Sequence, residues 1–464
     1  MSREDRLYAL DHLGLPEGFQ PSRASALKLA QTLDADSIVV GSFETDGTQI
    51  VAEAQVVDVP HLHMSAPVTA RGEMRNMIDV FDSLAWMLTR QMDPGFYVAE
   101  ETFVAAGKGL RLDAFEQYIR GITEPDQAER LRHLQQAVKI SPDFGQAWMA
   151  LGREDYSGQQ YEQAADAFAK VGRNDPNELE AGFYRGLSLL FSGSYLQAEE
   201  AFTGVARELP LAEVLNNEGV AISRQGHDGS ALFRKAVAAD PNAADYHFNL
   251  AVSLKRQGQT GEAMAELAQC LKLRPNDSEA QDLEKAWGPS SVATSTGNDS
   301  EEAKADPLER IVRTFDVVAF RQAAVVMDQM EVSRLATLSA HQRALKLADQ
   351  AKDYLDRGLL LESERLYQSA VAADAKLAEA HAGLAQVREQ TGDIVGARKE
   401  AQAALSLQPS ADADLVLGRI DLAANHLDEA GKEAGEALRL DPGSRAAQEL
   451  RQKIEAKTGQ GKEN

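Results

Sequence analysis

The stretch YHFNLAVSLKRQGQTGEAMAELAQCLKLRP, residues 246–275, places its apolar residues at the spacing of two short helices. Neither helix has enough of them to close a hydrophobic core by itself. Pro275 marks the end of the second helix, because proline cannot continue one. The stretch therefore predicts a helical hairpin that must pack against neighbours of the same kind.

The same pattern recurs along the chain. Prolines that end a helical pattern are spaced 31 to 34 residues apart within each of two runs, at Pro142, Pro176, Pro210, Pro241 and Pro275, and then at Pro409 and Pro442. A fixed period of this length is typical of a repeat protein.

Small residues recur at two fixed positions of this frame. The eighth position holds Gly152, Gly186, Gly219, Ala251, Ala351, Ala385 and Gly418, and the twentieth holds Ala164, Ala198, Ala263, Ser363, Ala397 and Ala430. Glycine inside a helix costs about 1 kcal/mol relative to alanine, so its repetition needs a packing cause. Two antiparallel helices that cross closely supply that cause.

This pattern resembles the tetratricopeptide repeat (TPR), best in WMALG...YEQAADAF...DP at 148–176 and in FNLAVSLKRQGQTGEAMAEL...RP at 248–275. The resemblance implies helix–turn–helix units that stack into a superhelix with a concave groove. We count about four units between 111 and 275 after a divergent first one, and three between 341 and 442. SEAQDLEKAW at 278–287 and the helix around GSRAAQELRQKIEAK are interpreted as capping helices.

The first hundred residues do not repeat. SRASALKLAQTLDA predicts a helix, SIVVGSF and QIVAEAQVVDV predict two strands joined by the turn TDGT, and GEMRNMIDVFDSLAWMLTRQM predicts an amphipathic helix. This order resembles the TolB-like domain found ahead of repeat arrays in bacterial proteins, without its first strands. The missing strands would leave an open sheet edge.

The predicted fold is mainly α, with a TPR-type superhelix in two arrays preceded by a small α/β domain. We expect the α/β domain at 1–98, the first array with its capping helix at 99–288, a flexible acidic linker at 289–306, and a long helix with the second array at 307–464. The linker sequence is rich in Ser, Thr, Gly and acid. At its end, ADPLE predicts a helix start, with Asp306 as the cap, Pro307 in the first turn and Glu309 completing a capping box.

Composition limits the function classes. The chain has 464 residues with 48 basic and 72 acidic side chains, a formal charge of -24 that repels phosphate backbones and anionic lipids. We therefore expect no nucleic-acid binding and, without a long apolar run, no membrane insertion. The N-terminus lacks the apolar run of a signal peptide, so we expect a soluble protein, cytoplasmic by default.

No catalytic motif is evident. The sequence has no GxxxxGK[ST] phosphate loop, HExxH, GxSxG or kinase signature, and we predict neither enzymatic activity nor a cofactor. His61 and His63 lack a third ligand at metal-binding spacing and are interpreted as an ordinary strand end. The single cysteine, Cys270, lies at an apolar helix position and is expected to be an inert core residue. His247 and His381 fall where Trp148 falls in its own repeat, so we interpret them as partly buried structural residues.

The groove of the first array is the predicted site. Its lining is taken from repeat positions 2, 5, 9, 12 and 13, and comprises Arg153, Tyr156, Phe183, Leu187, Asn216, Val220, Arg224, Phe248, Val252, Lys255 and Arg256. This mixed aromatic and basic strip suits an extended or helical peptide with apolar anchors and some acid. Alternatively, Phe183 and Phe248 only complete the packing between hairpins. The Lys and Asn clamp by which some TPR proteins hold a C-terminal carboxylate is absent from this sequence.

The sequence thus favours a non-enzymatic adaptor or scaffold that binds segments of partner proteins in the TPR groove. The alternative is a regulatory or sensory protein whose N-terminal α/β domain binds a small ligand and signals through the repeats.

Overall fold

The computed structural model describes residues 3–16, 23–107, 109–288 and 307–460. These residues form two compact units. One joins Met1–Leu112 to Val332–Asn464, and the other comprises Asp113–Glu331. Each unit is described by itself. The predicted linker at 289–306 lies outside the described residues.

The chain begins with a small α/β region. Its elements are α1 (Arg3–His12), α2 (Arg23–Thr32), β1 (Ser37–Thr45), β2 (Gln49–Asp58), β3 (His63–Met64), β4 (Val68–Glu73), α3 (Met77–Met92) and α4 (Glu100–Gly107). Strand β2 pairs antiparallel with β1, β3 and β4. The two predicted strands and their turn are confirmed, and Gly47 takes the left-handed conformation that this turn needs, with φ of 91°.

Helix α3 covers one face of this sheet. Ile50, Ala52 and Ala54 on β2 are buried with Val80 and Leu84 on α3. Period-2 alternation on β2 and period-3.6 spacing on α3 direct these side chains toward each other. The predicted helix began at Gly72, but residues up to Glu73 extend β4 instead and α3 begins at Met77.

The first array consists of five helical hairpins and a final helix. Their helices are α5 (Leu112–Thr123), α6 (Gln127–Ile140), α7 (Gly145–Ser157), α8 (Tyr161–Phe168), α9 (Glu178–Phe191), α10 (Tyr195–Glu208), α11 (Ala212–Arg224), α12 (Ser230–Ala239), α13 (Ala244–Arg256), α14 (Thr260–Leu273) and α15 (Ser278–Trp287). This confirms the predicted repeat units, and a helix occupies 278–287, where the capping helix was predicted.

The repeated glycines lie where the two helices of a hairpin touch. A Cβ atom on Gly186 would lie 2.6 Å from the ring of Phe202, which is fully buried. Gly152 and Gly219 meet Phe168 and Phe233 at 2.7 and 2.8 Å in the same way. The small residues predicted for close crossings therefore make room for an aromatic ring of the paired helix.

The second array has three hairpins and a final helix. They are α17 (Ala340–Asp356), α18 (Leu360–Ala373), α19 (Ala378–Thr391), α20 (Ile394–Leu407), α21 (Ala411–Ala423), α22 (Leu427–Leu440) and α23 (Arg445–Gln460). Ser339 and Gln342 form a capping box at the start of α17, as the sequence SAHQ indicates.

Helix α4 packs against this second array. The hydroxyl oxygens of Thr102 and Thr391 are 3.0 Å apart, and the amide of Ala99 donates to Glu364 Oε1 at 3.3 Å. The predicted domain boundaries placed this helix in the first array by its position in sequence. In the structure it packs against α3, α18 and α19.

The predicted helix start at Pro307 is wrong. Residues 307–316 form no helix, and α16 begins ten residues later, at Val317–Ala336. The reason is tertiary, because the main-chain groups that a helix would pair internally bind side chains of the first array, as described below. Among the described helices, none has both the length and the apolar character required to cross a bilayer.

A candidate polypeptide-binding groove in the first array

The first helices of successive hairpins, α9, α11 and α13, line one side of the first array. Residues 307–316, called here the groove segment, run along this side in an extended conformation. The segment belongs to the same compact unit as the array.

Two asparagines hold the main chain of the groove segment. Asn249 accepts from the amide of Arg310 at 2.6 Å and donates to its carbonyl at 2.8 Å. Asn217 accepts from the amide of Val312 at 3.0 Å and donates to its carbonyl at 2.8 Å. Each carboxamide thus satisfies one donor and one acceptor of an extended chain, as a neighbouring strand does.

A third asparagine connects these two pairs. Asn216 donates to the carbonyl of Arg310 at 3.1 Å and accepts from Asn249 at 2.8 Å. All three asparagine side chains are fully buried. Buried side-chain amides need hydrogen-bond partners, and the main chain of the groove segment supplies several of them.

Glu309 lies in a basic pocket. Its side chain is 1% exposed and contacts Arg256 and the hydroxyl of Ser223, with Arg224 Nε 3.4 Å from its carboxylate. Arg224 and Arg256 also donate to the carbonyls of Glu309 and Pro307, at 3.1 and 2.8 Å. These arginines therefore bind both the acid and the main chain.

Arg310 points into a pocket of opposite charge. Its guanidinium carbon lies 3.6 Å from the centre of the buried Phe248 ring. Its nitrogens contact Asp277 at 2.6 and 2.8 Å, Asp245 at 3.0 Å and Glu279 at 3.0 Å. We call Phe248, Asp245, Asp277 and Glu279 the arginine socket.

Titration of the socket reflects these ion pairs. Hydrogen bonds from Arg310 hold the pKa of Asp277 below its ordinary value. Burial opposes the charge of Arg310, but its hydrogen bonds to Asp277, Glu279 and Asp245 raise the pKa of the guanidinium. Asp277 and Arg310 are therefore both charged at neutral pH.

Phe315 anchors the far end of the groove segment. It is buried in the core of the array, and its ring centre lies 5.4 Å from that of Phe183. The amide of the next residue, Asp316, donates to Glu213 Oε1 at 2.9 Å. Burial raises the pKa of Glu213, although this hydrogen bond opposes the shift.

Five of the predicted groove residues contact the groove segment, namely Phe183, Asn216, Arg224, Phe248 and Arg256. Leu187, Val220 and Val252 are buried in the array core. The rings of Phe183 and Phe248 are buried in the packing of the array, and each also touches the groove segment.

The remaining predicted residues make other contacts. Arg153 pairs with Glu180 at 2.5 Å, and Lys255 lies 5.6 Å from the ring centre of Trp287. The ring of Tyr156 packs edge-on against Tyr184 at 5.7 Å.

The residues named for the lining omit several that hold the groove segment, among them Asn217, Asn249, Ser223, Asp245, Asp277 and Glu213. Glu213 and Asp245 at repeat position 2 and Ser223 at position 12 nevertheless lie at positions used for the prediction. Asn217 and Asn249 occupy repeat position 6, one place after a position used for the prediction. A polar amide at the same position of two successive repeats was a usable signal, because an asparagine inside a helix needs a reason.

Other candidates have structural roles. His247 and His381 are buried, and each places Nδ1 near a glutamate and Nε2 near a main-chain carbonyl. Cys270 is buried, and burial raises the pKa of its thiol, which suits an inert core residue. His61 is exposed and pairs with Asp58 at 2.9 Å, and the described residues contain no group of three metal-ligating side chains.

Solved repeat proteins resemble parts of this chain. The TPR protein YrrB, with an unusual peptide-binding site, is 15% identical, with 44% of this chain and 99% of that chain covered and a TM-score of 0.33. MamA from Desulfovibrio magneticus is 22% identical over 36% of this chain and 99% of that chain, with a TM-score of 0.33. The first TPR of Spaghetti, bound to an HSP90 peptide, is 22% identical, with 26% of this chain and 95% of that chain covered and a TM-score of 0.24.

A search of curated proteins finds no match. Tetratricopeptide repeat families match residues 149–213, 225–286 and 348–413. These segments all lie in the two arrays, so the TolB-like resemblance of the first 98 residues gains no support. Matches to tetratricopeptide repeat models therefore fall in both helical arrays.

Proposed function

We propose that this protein is a non-enzymatic adaptor whose first array binds an extended segment of a partner protein in the groove. The observation that carries this proposal is the groove segment itself. Its main chain is paired at Arg310 and Val312 by Asn249 and Asn217. TPR proteins generally mediate protein–protein interaction, and the groove chemistry is consistent with that role.

Main-chain recognition makes the groove suitable for a polypeptide from another source. The two asparagines contact only backbone atoms of Arg310 and Val312, which any non-proline residue presents. Side-chain pockets at Glu309, Arg310 and Phe315 then add selectivity. The eleven predicted groove residues, with Asn217 and Asn249 added, are our proposed binding surface.

The groove segment competes with such a partner. It follows the first array in sequence after the 18 residues of 289–306. Because the segment and the groove belong to one chain, their effective concentration is on the order of 1 mM, so a partner must bind well to displace the segment. Weakening the segment is therefore expected to increase the affinity for a partner.

The proposal is tested with a fluorescent peptide, DPLERIVRTFDV, which copies residues 306–317. Fluorescence anisotropy is measured with the full chain and with Phe315→Ala, which removes the apolar anchor of the resident segment. We expect the variant to bind the peptide at least tenfold more tightly than the unaltered chain. Adding Asn217→Ala and Asn249→Ala is expected to abolish this gain.

Circular dichroism establishes that each variant is folded. A folded Phe315→Ala chain that binds no peptide would refute the proposal. No observation on the described N-terminal residues favours the alternative of a ligand-sensing α/β domain, and it is not proposed.

A further inference from the structure

The arginine socket is incomplete without an occupant. Among the described residues, Arg274 is the cation besides Arg310 that pairs with these carboxylates, 2.8 Å from Asp245 and 3.6 Å from Asp277. Removing Arg310 would leave the three carboxylates of the socket facing one guanidinium. Asp277 is only 8% exposed and would keep the amide of Ala280 and the more distant Arg274. It would lose its two short guanidinium hydrogen bonds, which is unfavourable for a buried carboxylate.

The shape of the socket favours arginine over lysine. Phe248 presents the face of its ring at 3.6 Å, while Asp277 receives two nitrogens of the same guanidinium at 2.6 and 2.8 Å. Only a planar, forked cation can stack on the ring and make both hydrogen bonds. The ammonium group of lysine would neutralise the carboxylates but could not both stack on the Phe248 ring and make the two hydrogen bonds to Asp277.

The residue before the arginine enters a pocket of the opposite sign. Glu309 is buried between Arg224 and Arg256, which belong to the last turns of α11 and α13. Asp245 and Asp277 lie at the opposite ends, at the start of α13 and just before α15. An acid followed by arginine fits this arrangement, and the reversed order would place each charge near its own sign.

We propose that the partner segment carries an acidic residue followed directly by arginine, and that this arginine replaces Arg310 in the socket. This inference rests on the proposed function and specifies the class of partner. An aromatic residue five positions after the arginine, at the place of Phe315, completes the match. The partner is thus a protein with an exposed acid–Arg pair, not an acidic tail.

The test compares two peptides of identical composition and charge. One is DPLERIVRTFDV, and the other is DPLREIVRTFDV, in which only the order of the acid and the arginine is reversed. Both are titrated into the full chain carrying Phe315→Ala. We expect the reversed peptide to bind at least tenfold more weakly.

A groove variant assigns the effect to the socket. Asp277→Asn removes one carboxylate and retains the side-chain oxygen that caps α15. It is expected to weaken the first peptide about tenfold and to leave the reversed peptide unchanged. Asp282→Asn on the exposed face of α15 is the matched control, with no expected effect on either peptide.

The outcomes separate the two proposals. Equal affinity of both peptides would overturn the inference and leave main-chain binding intact, whereas no binding of either to a folded chain would overturn both. If Phe315→Ala fails to fold, Ile311→Ser replaces it, since Ile311 is only partly buried against the core. Concentration-dependent dimers of the unaltered chain in light scattering would show that a second copy supplies the arginine, and would contradict a separate partner.

Discussion

Asn249→Ala tests how the groove holds an extended chain. The substitution removes the acceptor for the amide of Arg310 and one of two donors to its carbonyl. The carbonyl retains Asn216 at 3.1 Å, whereas the amide loses the acceptor that Asn249 provides. The groove segment is therefore expected to open more often at Arg310.

The magnitude follows from these two contacts. A typical hydrogen bond contributes about 1 kcal/mol, and an unsatisfied buried amide costs about 1–3 kcal/mol. We expect the free energy of local opening to fall by about 2 kcal/mol, which speeds amide exchange about thirtyfold. Val312, held by Asn217, is expected to respond less.

Native-state hydrogen exchange of the full chain measures this opening residue by residue. Asn242→Ala is the control, because Asn242 is exposed and precedes α13. Amides of α13 report any general loss of stability in the array. A change of less than threefold at Arg310, with α13 unaffected, would refute the proposed role of the asparagine.

Four further predictions concern packing, pH and binding. Gly186→Ala is expected to destabilise the first array by about 1–2 kcal/mol in denaturant unfolding, because its Cβ would lie 2.6 Å from Phe202. The control, Gly204→Ala, has open space around it and should instead stabilise the array by up to about 1 kcal/mol. Equal effects of the two substitutions would contradict the packing argument. Burial, with a hydrogen bond to Glu433, raises the pKa of Asp414 to about 7. The folded state therefore holds this proton more tightly than the unfolded chain does. The free energy of unfolding falls as the pH rises from the ordinary pKa of an aspartate to about 7. Asp414→Asn should thus raise the free energy of unfolding by about 1 kcal/mol at pH 8 and have little effect at pH 5, which thermal unfolding at the two pH values checks. Residues 341–457 should unfold at lower denaturant than the first array, since Ala401 and Ala434 take the place of phenylalanine and such changes cost about 2–5 kcal/mol; equal hydrogen-exchange protection in both arrays would contradict this. An acidic tail peptide should show no measurable affinity in calorimetry, because the Lys and Asn clamp is absent, and micromolar binding would refute that.

The repeat architecture was predictable because its signals are local and recur. Proline stops, small residues at close crossings and aromatic partners recur along the first array, and Gly186 against Phe202 shows the contact that they imply. Helix and strand patterns in the first hundred residues were sufficient for β1, β2 and α3.

The groove segment was not predictable from local rules. Pro307 and Glu309 carry a helix-start signal. However, the main-chain groups of Arg310 and Val312 bind asparagines that lie 61 and 95 residues away in sequence. Burial of Glu309 and Phe315 adds to these bonds. Tertiary contacts therefore override a local preference that is worth only about 1 kcal/mol.

Half of the groove was accessible to sequence reasoning. Standard groove positions include Asn216, Arg224, Phe248 and Arg256, whose chemistry suggested a peptide with acid and apolar anchors. Asp277 was not accessible, because it caps the helix after the last repeat and enters the socket only through the position of α15.

The most direct test of the central claim is a nuclear Overhauser measurement on the full chain with selectively labelled phenylalanines. Occupation of the groove by residues 307–316 predicts cross-peaks between the rings of Phe183 and Phe315, whose centres are 5.4 Å apart. Chemical shifts of a solvent-exposed phenylalanine at position 315, without cross-peaks to Phe183, would contradict it.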